Sequence, residues 1–283
     1  MAHESPRPTE SSRRSKLKVR GGEIAYETAG KGSPILFLHS AIADHRQWDR
    51  ELPLYAADHQ CIRFDQRGYG GSTPATAEFS QTDDIQALLD HLKIGRAYLV
   101  GSSMGGAYAI NYAIAHPDRV RGMLLVAPGL SGGVLPPYTA SEQAAFELDD
   151  RKSQEIAQVW SKGDAGRAFD LLRQLWCVAL EGPNLALFRR MVEENTAEVF
   201  DNRSSQRESR PPAPSDRLPT LRIPTIVMIG DRDNPSSEPF ARRIAGAIPH
   251  ARLVQVSGAD HLINLSRPSA FDDALRAGLA ASA

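Results

Sequence analysis

Residues 97–106 read Ala97-Tyr98-Leu99-Val100-Gly101-Ser102-Ser103-Met104-Gly105-Gly106, a short apolar run closing on a serine bracketed by glycines. An apolar run bounded by turn residues is the pattern of a strand buried on both faces. From Met104 to Ala115 the chain carries Ala107, Ile110 and Ala113 at helical spacing. The pentapeptide G-x-S-x-G recurs by chance, so its place between a strand and a helix is what carries weight. In that place it describes a nucleophile elbow, a turn too tight for side chains two positions either side of the serine. Ser103 would stand above the sheet, with the N–H of Met104 aimed where negative charge develops. The competing reading is an ordinary glycine-bearing turn with a surface serine.

The same alternation extends in both directions. Upstream, Leu17–Val19 and Glu23–Glu27 flank a glycine turn as a hairpin, Pro34–His39 is a continuous apolar run, and Cys61–Phe64 is a second short strand ending at Asp65. Helical spacing appears around Trp48–Ala56 and over Thr82–Leu92. Downstream, Gly122–Ala127, Thr225–Ile229 and Arg252–Val256 read as strands, with helices over Ser236–Ile248 and Ser269–Leu279. Strands alternating with helices specify an α/β fold, a mostly parallel central sheet wound with crossover helices. The rhythm breaks between residues 129 and 219, where three helical patches occur, Ser141–Ser161, Ala165–Ala179 and Leu185–Thr196, closed by the Pro-rich stretch Arg210–Pro214. The expected organisation is therefore a disordered tail over 1–16, a core built from 17–128 and 220–283, and an inserted helical cap over 129–219.

Composition narrows the function classes. Lys+Arg 33 against Asp+Glu 34 leaves no basic excess for nucleic acid or an anionic membrane surface. Two cysteines, Cys61 and Cys177, cannot build a disulfide framework and read as packing residues in a reducing compartment. The first sixteen residues lack the apolar segment of a secretory signal, and no apolar run is long enough to span a bilayer. A cytoplasmic protein is expected, with a small-molecule substrate as its partner.

Four segments together resemble the α/β-hydrolase superfamily over nearly the whole chain: Gly101–Gly106, Asp65-Gln66-Arg67-Gly68-Tyr69-Gly70-Gly71-Ser72, Gly230-Asp231-Arg232-Asp233, and the loop Gly258-Ala259-Asp260-His261. A serine hydroxyl needs a base. Of the eight histidines, His261 alone follows the final strand in a short loop, where such hydrolases place it. His39 and His45 could border a pocket; the others sit in the tail or at element ends. An acid must fix the tautomer of that base. Asp233, after the strand Thr225–Ile229, is favoured over Asp231, which reads as a turn-former or a partner of Arg232. The loop after the preceding strand, Pro128–Gly132, has no carboxylate to compete. The order Ser103, Asp233, His261 is the one this fold uses. The resemblance implies a second oxyanion donor from the loop after Leu38, with the N–H of Ala41 as the choice beside that of Met104, and a structural role for Arg67.

One departure is informative. His39-Ser40 stands where relatives commonly carry His-Gly, and Ser40 resembles the loop of enol-lactonases, making Ser40 a pocket residue and a lactone a plausible substrate. Hydrolases of C–C bonds in aromatic degradation usually carry asparagine before the nucleophile and tryptophan after the histidine. Ser102 and Leu262 stand there instead, which disfavours that subfamily. Trp160 and Trp176, with Phe146, Phe169 and Phe188, are placed to line an acyl pocket or to glue the cap helices together. The expectation is hydrolysis of a carboxylic ester or lactone through an acyl-enzyme, without metal or organic cofactor. The alternatives are a cofactor-free perhydrolase of the haloperoxidase type and a non-hydrolytic small-molecule receptor.

Overall fold

The computed structural model describes residues 12–130, 138–209 and 214–282. β1 (Arg13–Val19) and β2 (Gly22–Ala29) form an antiparallel hairpin. β3 (Ser33–Leu38), α1 (Glu51–Tyr55), β4 (His59–Phe64), α2 (Gln81–His91), β5 (Ala97–Ser102), α3 (Met104–Ala115) and β6 (Val120–Val126) follow. Four helices come next: α4 (Ala140–Ser161), α5 (Ala165–Trp176), α6 (Gly182–Glu194) and α7 (Thr196–Val199). The chain then re-enters the sheet through β7 (Thr225–Gly230), α8 (Ser237–Ala247), β8 (Arg252–Val256), α9 (Ile263–Ser266) and α10 (Pro268–Ala281).

The strands make one sheet in the order β1-β2-β4-β3-β5-β6-β7-β8, parallel from β4 to β8 and antiparallel around β2. All six residues of β5 and of β7 are buried. Their side chains alternate between two cores, as the two-residue period of a strand requires. Leu36, Leu38, Leu99, Met123, Leu125 and Val227 pack on one face with α2, α3 and α8. Ile35, Phe37, Val100, Leu124, Val126 and Met228 pack on the other with α1 and α10. Each such side chain contributes about 1.5–3 kcal/mol on leaving water. A third cluster, containing Phe169, Leu172, Phe188 and Met191, belongs to the helices between β6 and β7 and reaches Ile42 and Leu262 of the sheet's loops.

Two sequence expectations shift. Residues 13–16, assigned to a disordered tail by their charge and polarity, form the first half of β1, with Arg13 opposite Thr28 and Lys16 opposite Ala25. Edge strands tolerate exposed charge because backbone pairing, not burial, holds them, and cationic edges also discourage pairing with other chains. Residues 1–11 lie outside the described residues, as do 210–213 of the Pro-rich stretch. The helix expected over Trp48–Ala56 is split. Asp44 accepts from the Arg46 N–H and opens a 3-10 turn over His45–Trp48, and α1 starts only at Glu51. No described helix is long and apolar enough to cross a membrane.

Candidate active site

The site forms at the C-terminal ends of β3, β5, β7 and β8, where the parallel strands release their loops. Ser103 links β5 to α3 with φ 52° and ψ −113°, a conformation non-glycine residues rarely adopt. Such strain costs of the order of 1–3 kcal/mol and persists only where the surroundings enforce it. They do. The Ser103 N–H donates to the Val126 carbonyl at 2.9 Å, and the Ser103 carbonyl accepts from Gly129 and Ala107. A Cβ at Gly105 would lie 2.3 Å from the Leu38 oxygen, and one at Gly101 would lie 2.4 Å from the Gly105 oxygen, so neither position admits a side chain.

His261 and Asp233 meet from different loops. The imidazole Nδ1 lies 2.9 and 3.0 Å from the two oxygens of the Asp233 carboxylate, with both side chains nearly fully buried. The carboxylate therefore holds the proton on Nδ1 and leaves Nε2 bare as an acceptor. Asp233 also accepts from the Asn234 N–H at 2.7 Å. Asp231 is engaged elsewhere, accepting from the Gly258 N–H at 2.6 Å and the Ser257 hydroxyl at 3.1 Å, which ties the end of β7 to the loop after β8. The His261 N–H donates to the Trp176 carbonyl at 3.0 Å, and the Trp176 ring packs on the imidazole with centroids 4.5 Å apart.

The loop after β3 is held by hydrogen bonds with the side chains of His39, Tyr69 and Gln47. His39 is fully buried, and burial pushes its pKa down, so it is neutral. Its Nδ1–H donates to the Ser40 carbonyl at 2.8 Å while its Nε2 accepts from the Gln66 N–H. The Ser40 carbonyl shares a planar trans peptide with the Ala41 N–H, so fixing one points the other the opposite way. Tyr69 donates to the Ala41 carbonyl at 3.0 Å, and the Ser40 N–H donates to Gln47 at 2.9 Å. Met104 opens α3, where first-turn N–H groups have no partner within the helix. Arg67 lies outside this site. Its guanidinium forks onto the buried Asp84 carboxylate at 2.6 and 2.9 Å and donates to the Arg20 carbonyl.

Ser103, His261, Ser40, Ala41 and Trp176 line one cavity of about 250 Å³. The helices between β6 and β7 complete it with Ser153, Ile156 and Ala157 of α4, Leu172 of α5, and Val199, Phe200 and Asn202. Trp160 is placed differently. It stacks behind Phe200, ring centroids 4.4 Å apart, and donates to Asp201, so its contact with the cavity is through Phe200. Phe169 and Phe188 pack on each other in the insertion's core, and Phe146 lies against Tyr138 and Phe240. His45 and Cys177 are also absent from the lining; Cys177 and Cys61 are buried free thiols. Ligand atoms of Asp44, His45 and Asp65 lie within 4.8 Å of one another. Their carboxylates already accept from Arg46, Asn195, His45 and Gly71, leaving this trio a structural knot away from the cavity.

A family model described as the alpha/beta hydrolase family matches residues 35–274, and the chain belongs to that family. A protein of Mycobacterium tuberculosis, provisionally named a non-heme bromoperoxidase, is 28% identical over 89% of this chain and 95% of its own length. The solved structure of Est816, described as an N-acyl homoserine lactone degrading enzyme, superposes with a TM-score of 0.70 at 26% identity, covering 93% of this chain and 99% of that one. The enol-lactonase from Burkholderia xenovorans LB400 superposes with a TM-score of 0.74 over 94% of this chain and 100% of its own, a likeness of fold at 23% identity.

Proposed function

We propose that the chain is a serine hydrolase that cleaves a carboxylic ester or lactone through an acyl-enzyme. The observation that carries this reading is the Asp233–His261 pair opening into the same cavity as a serine held at positive φ. His261 Nε2, bare because Asp233 fixes the proton on Nδ1, takes the proton from the Ser103 hydroxyl as its oxygen attacks the substrate carbonyl. The N–H groups of Met104 and Ala41 receive the developing oxyanion, a contribution of about 3 kcal/mol for each donor. Collapse breaks the acyl–oxygen bond, and His261 passes its proton to the leaving alkoxide, which in a lactone stays tethered to the acyl group. Water then repeats the sequence against the acyl-enzyme, with His261 again as base, and frees the acid. The helices between β6 and β7 act as a cap that completes the acyl pocket, with Ser40 and Trp176 in its wall. The lactone-degrading activity in the description of Est816 supports a lactone among the substrates.

A second reading rests on the bromoperoxidase relative. With hydrogen peroxide in place of water, the same acyl-enzyme would release a peracid and regenerate Ser103. Ser103→Ala tests the shared step. Turnover of p-nitrophenyl butyrate should fall to background while the thermal unfolding transition stays within a few degrees of the parent. Retained turnover would remove Ser103 from the chemistry. Peroxide-dependent halide oxidation in the presence of acetate distinguishes the second reading from the first.

A further inference from the structure

We infer that the cavity selects compact, uncharged acyl groups and rejects those that carry a carboxylate of their own. This rests on the hydrolase reading and specifies its substrate class. The interior wall is aliphatic and aromatic, formed by Ile42, Ile156, Leu172, Val199 and Phe200. The polar cap residues Ser153 and Asn202 are both exposed, so they stand at the mouth and can meet a neutral carbonyl, amide or hydroxyl. Among the described residues that line the cavity, His261 is the one ionisable side chain, and its Nδ1 is committed to Asp233. Ser131 to Pro137, which follow the elbow's neighbouring strand, contain no ionisable residue by sequence.

The charge behind the wall has the wrong sign for an acid. The carboxylates of Asp233 and Asp260 are both buried beside His261, and Asp260 is fixed by the N–H groups of Ala179 and Leu262. A substrate carboxylate drawn inside would lose its water, find no lysine or arginine in the lining and face the Asp233 carboxylate behind His261. Desolvating an unpaired charge is among the largest penalties in a protein interior. Size adds a second limit. At about 250 Å³ the cavity falls below the ~300–1,000 Å³ typical of pockets for drug-sized ligands, which fits a short acyl chain or a small lactone ring.

The test compares p-nitrophenyl hexanoate with p-nitrophenyl hydrogen adipate. The acyl chains have equal length and differ by a terminal carboxylate. Spontaneous release is subtracted using Ser103→Ala at the same concentration. The expected kcat/KM favours hexanoate by a hundredfold or more, on the order of the penalty for burying an unpaired carboxylate. Ala157→Arg, an exposed lining position on α4, places a cation at the mouth and should raise adipate turnover roughly tenfold, narrowing the ratio. Adipate cleaved within about threefold of hexanoate, or a ratio the arginine does not move, overturns the inference while leaving the hydrolase reading intact. Cleavage of neither ester overturns the inference, and only the further absence of p-nitrophenyl butyrate turnover sinks the hydrolase reading with it.

Discussion

At the scale of single residues, two aspartates two positions apart illustrate how differently one loop can employ the same side chain. Asp231 accepts from Gly258 and Ser257 and closes the gap between β7 and the loop after β8. Asp233 faces the His261 Nδ1 with both oxygens. An asparagine at 231 keeps one acceptor oxygen for the Gly258 N–H. At 233 an amide nitrogen turned toward Nδ1 would donate, forcing the imidazole proton onto Nε2 and removing the base from Ser103. Asp233→Asn is thus expected to lower kcat by about 10³–10⁴-fold with little change in KM. Asp231→Asn should hold kcat within about threefold and show its effect in a lowered midpoint of thermal unfolding. Steady-state kinetics on p-nitrophenyl butyrate check both, and equal losses at the two positions would refute the division of roles.

At the scale of elements, the loop after β3 and the histidine loop are joined from below by a buried polar chain. The Ser40 N–H donates to Gln47 of the 3-10 turn, and the Gln47 amide donates to Asn264 of α9 at 3.3 Å. Asn264 in turn donates to the Gln47 carbonyl and to Glu51 of α1 at 2.8 and 3.2 Å. Glu51 has no solvent exposure, and burial pushes its carboxyl up from 4.5 to about 7, against the opposing pull of Arg50 and Asn264. The sign follows directly. Between 4.5 and about 7 the folded chain holds this proton more tightly than the unfolded chain, so stability present at low pH is lost as pH rises through that window. Glu51→Gln keeps the acceptor oxygen and cannot ionise. Urea denaturation should show wild type losing about 2–3 kcal/mol more than the variant between pH 5 and pH 8, and parallel pH profiles would refute it. This chain also marks where sequence reading stops. The elbow is legible because Gly101, Ser103 and Gly105 act on one another within five residues, and the central strands β5 and β7 are legible because both faces of each are apolar. Gln47 and Glu51 meet Asn264 across more than two hundred residues, and no local pattern marks the three as partners. Trp176 lines the cavity as expected by the sequence reading, whereas the place of Trp160 is hidden for a related reason. Trp160 and Phe200 share a stack, and nothing local tells which of the two rings faces the cavity.

At the scale of the whole molecule, the helices between β6 and β7 are fastened unevenly. The α6–α7 corner is tied deep into the core. Asn195, nearly fully buried, accepts from the Gly70 N–H at 2.7 Å and donates to Asp44 at 2.8 Å, while the Ser204 hydroxyl accepts from the Ala75 N–H at 3.3 Å. The exit of α5 is tied to the histidine loop through Asp260 and through the Trp176 carbonyl. Helix α4 has 22 residues, yet Ile156 is the one buried residue along it, whereas the 12 residues of α5 bury four. Its links to the core include the Glu142–Arg243 pair near its start, the edge of Phe146 against Phe240, and Asp149, which accepts from Ser236 at 2.8 Å. Local opening free energy tracks buried apolar contact, so α4 should open well below the global unfolding free energy while the sheet does not. Ser153, Ile156 and Ala157 of α4 also wall the cavity. Hydrogen exchange followed by mass spectrometry should therefore show peptides from α4 exchanging faster than those from α5, α6 and β5. An inhibitor attached covalently to Ser103 through an uncharged acyl or phosphonyl group should slow α4 selectively, because a filled cavity gives Ile156 a partner that an open helix would forfeit. Protection of α4 equal to that of β5 in the free protein would mean that the helix is an integral wall and not the part that admits substrate.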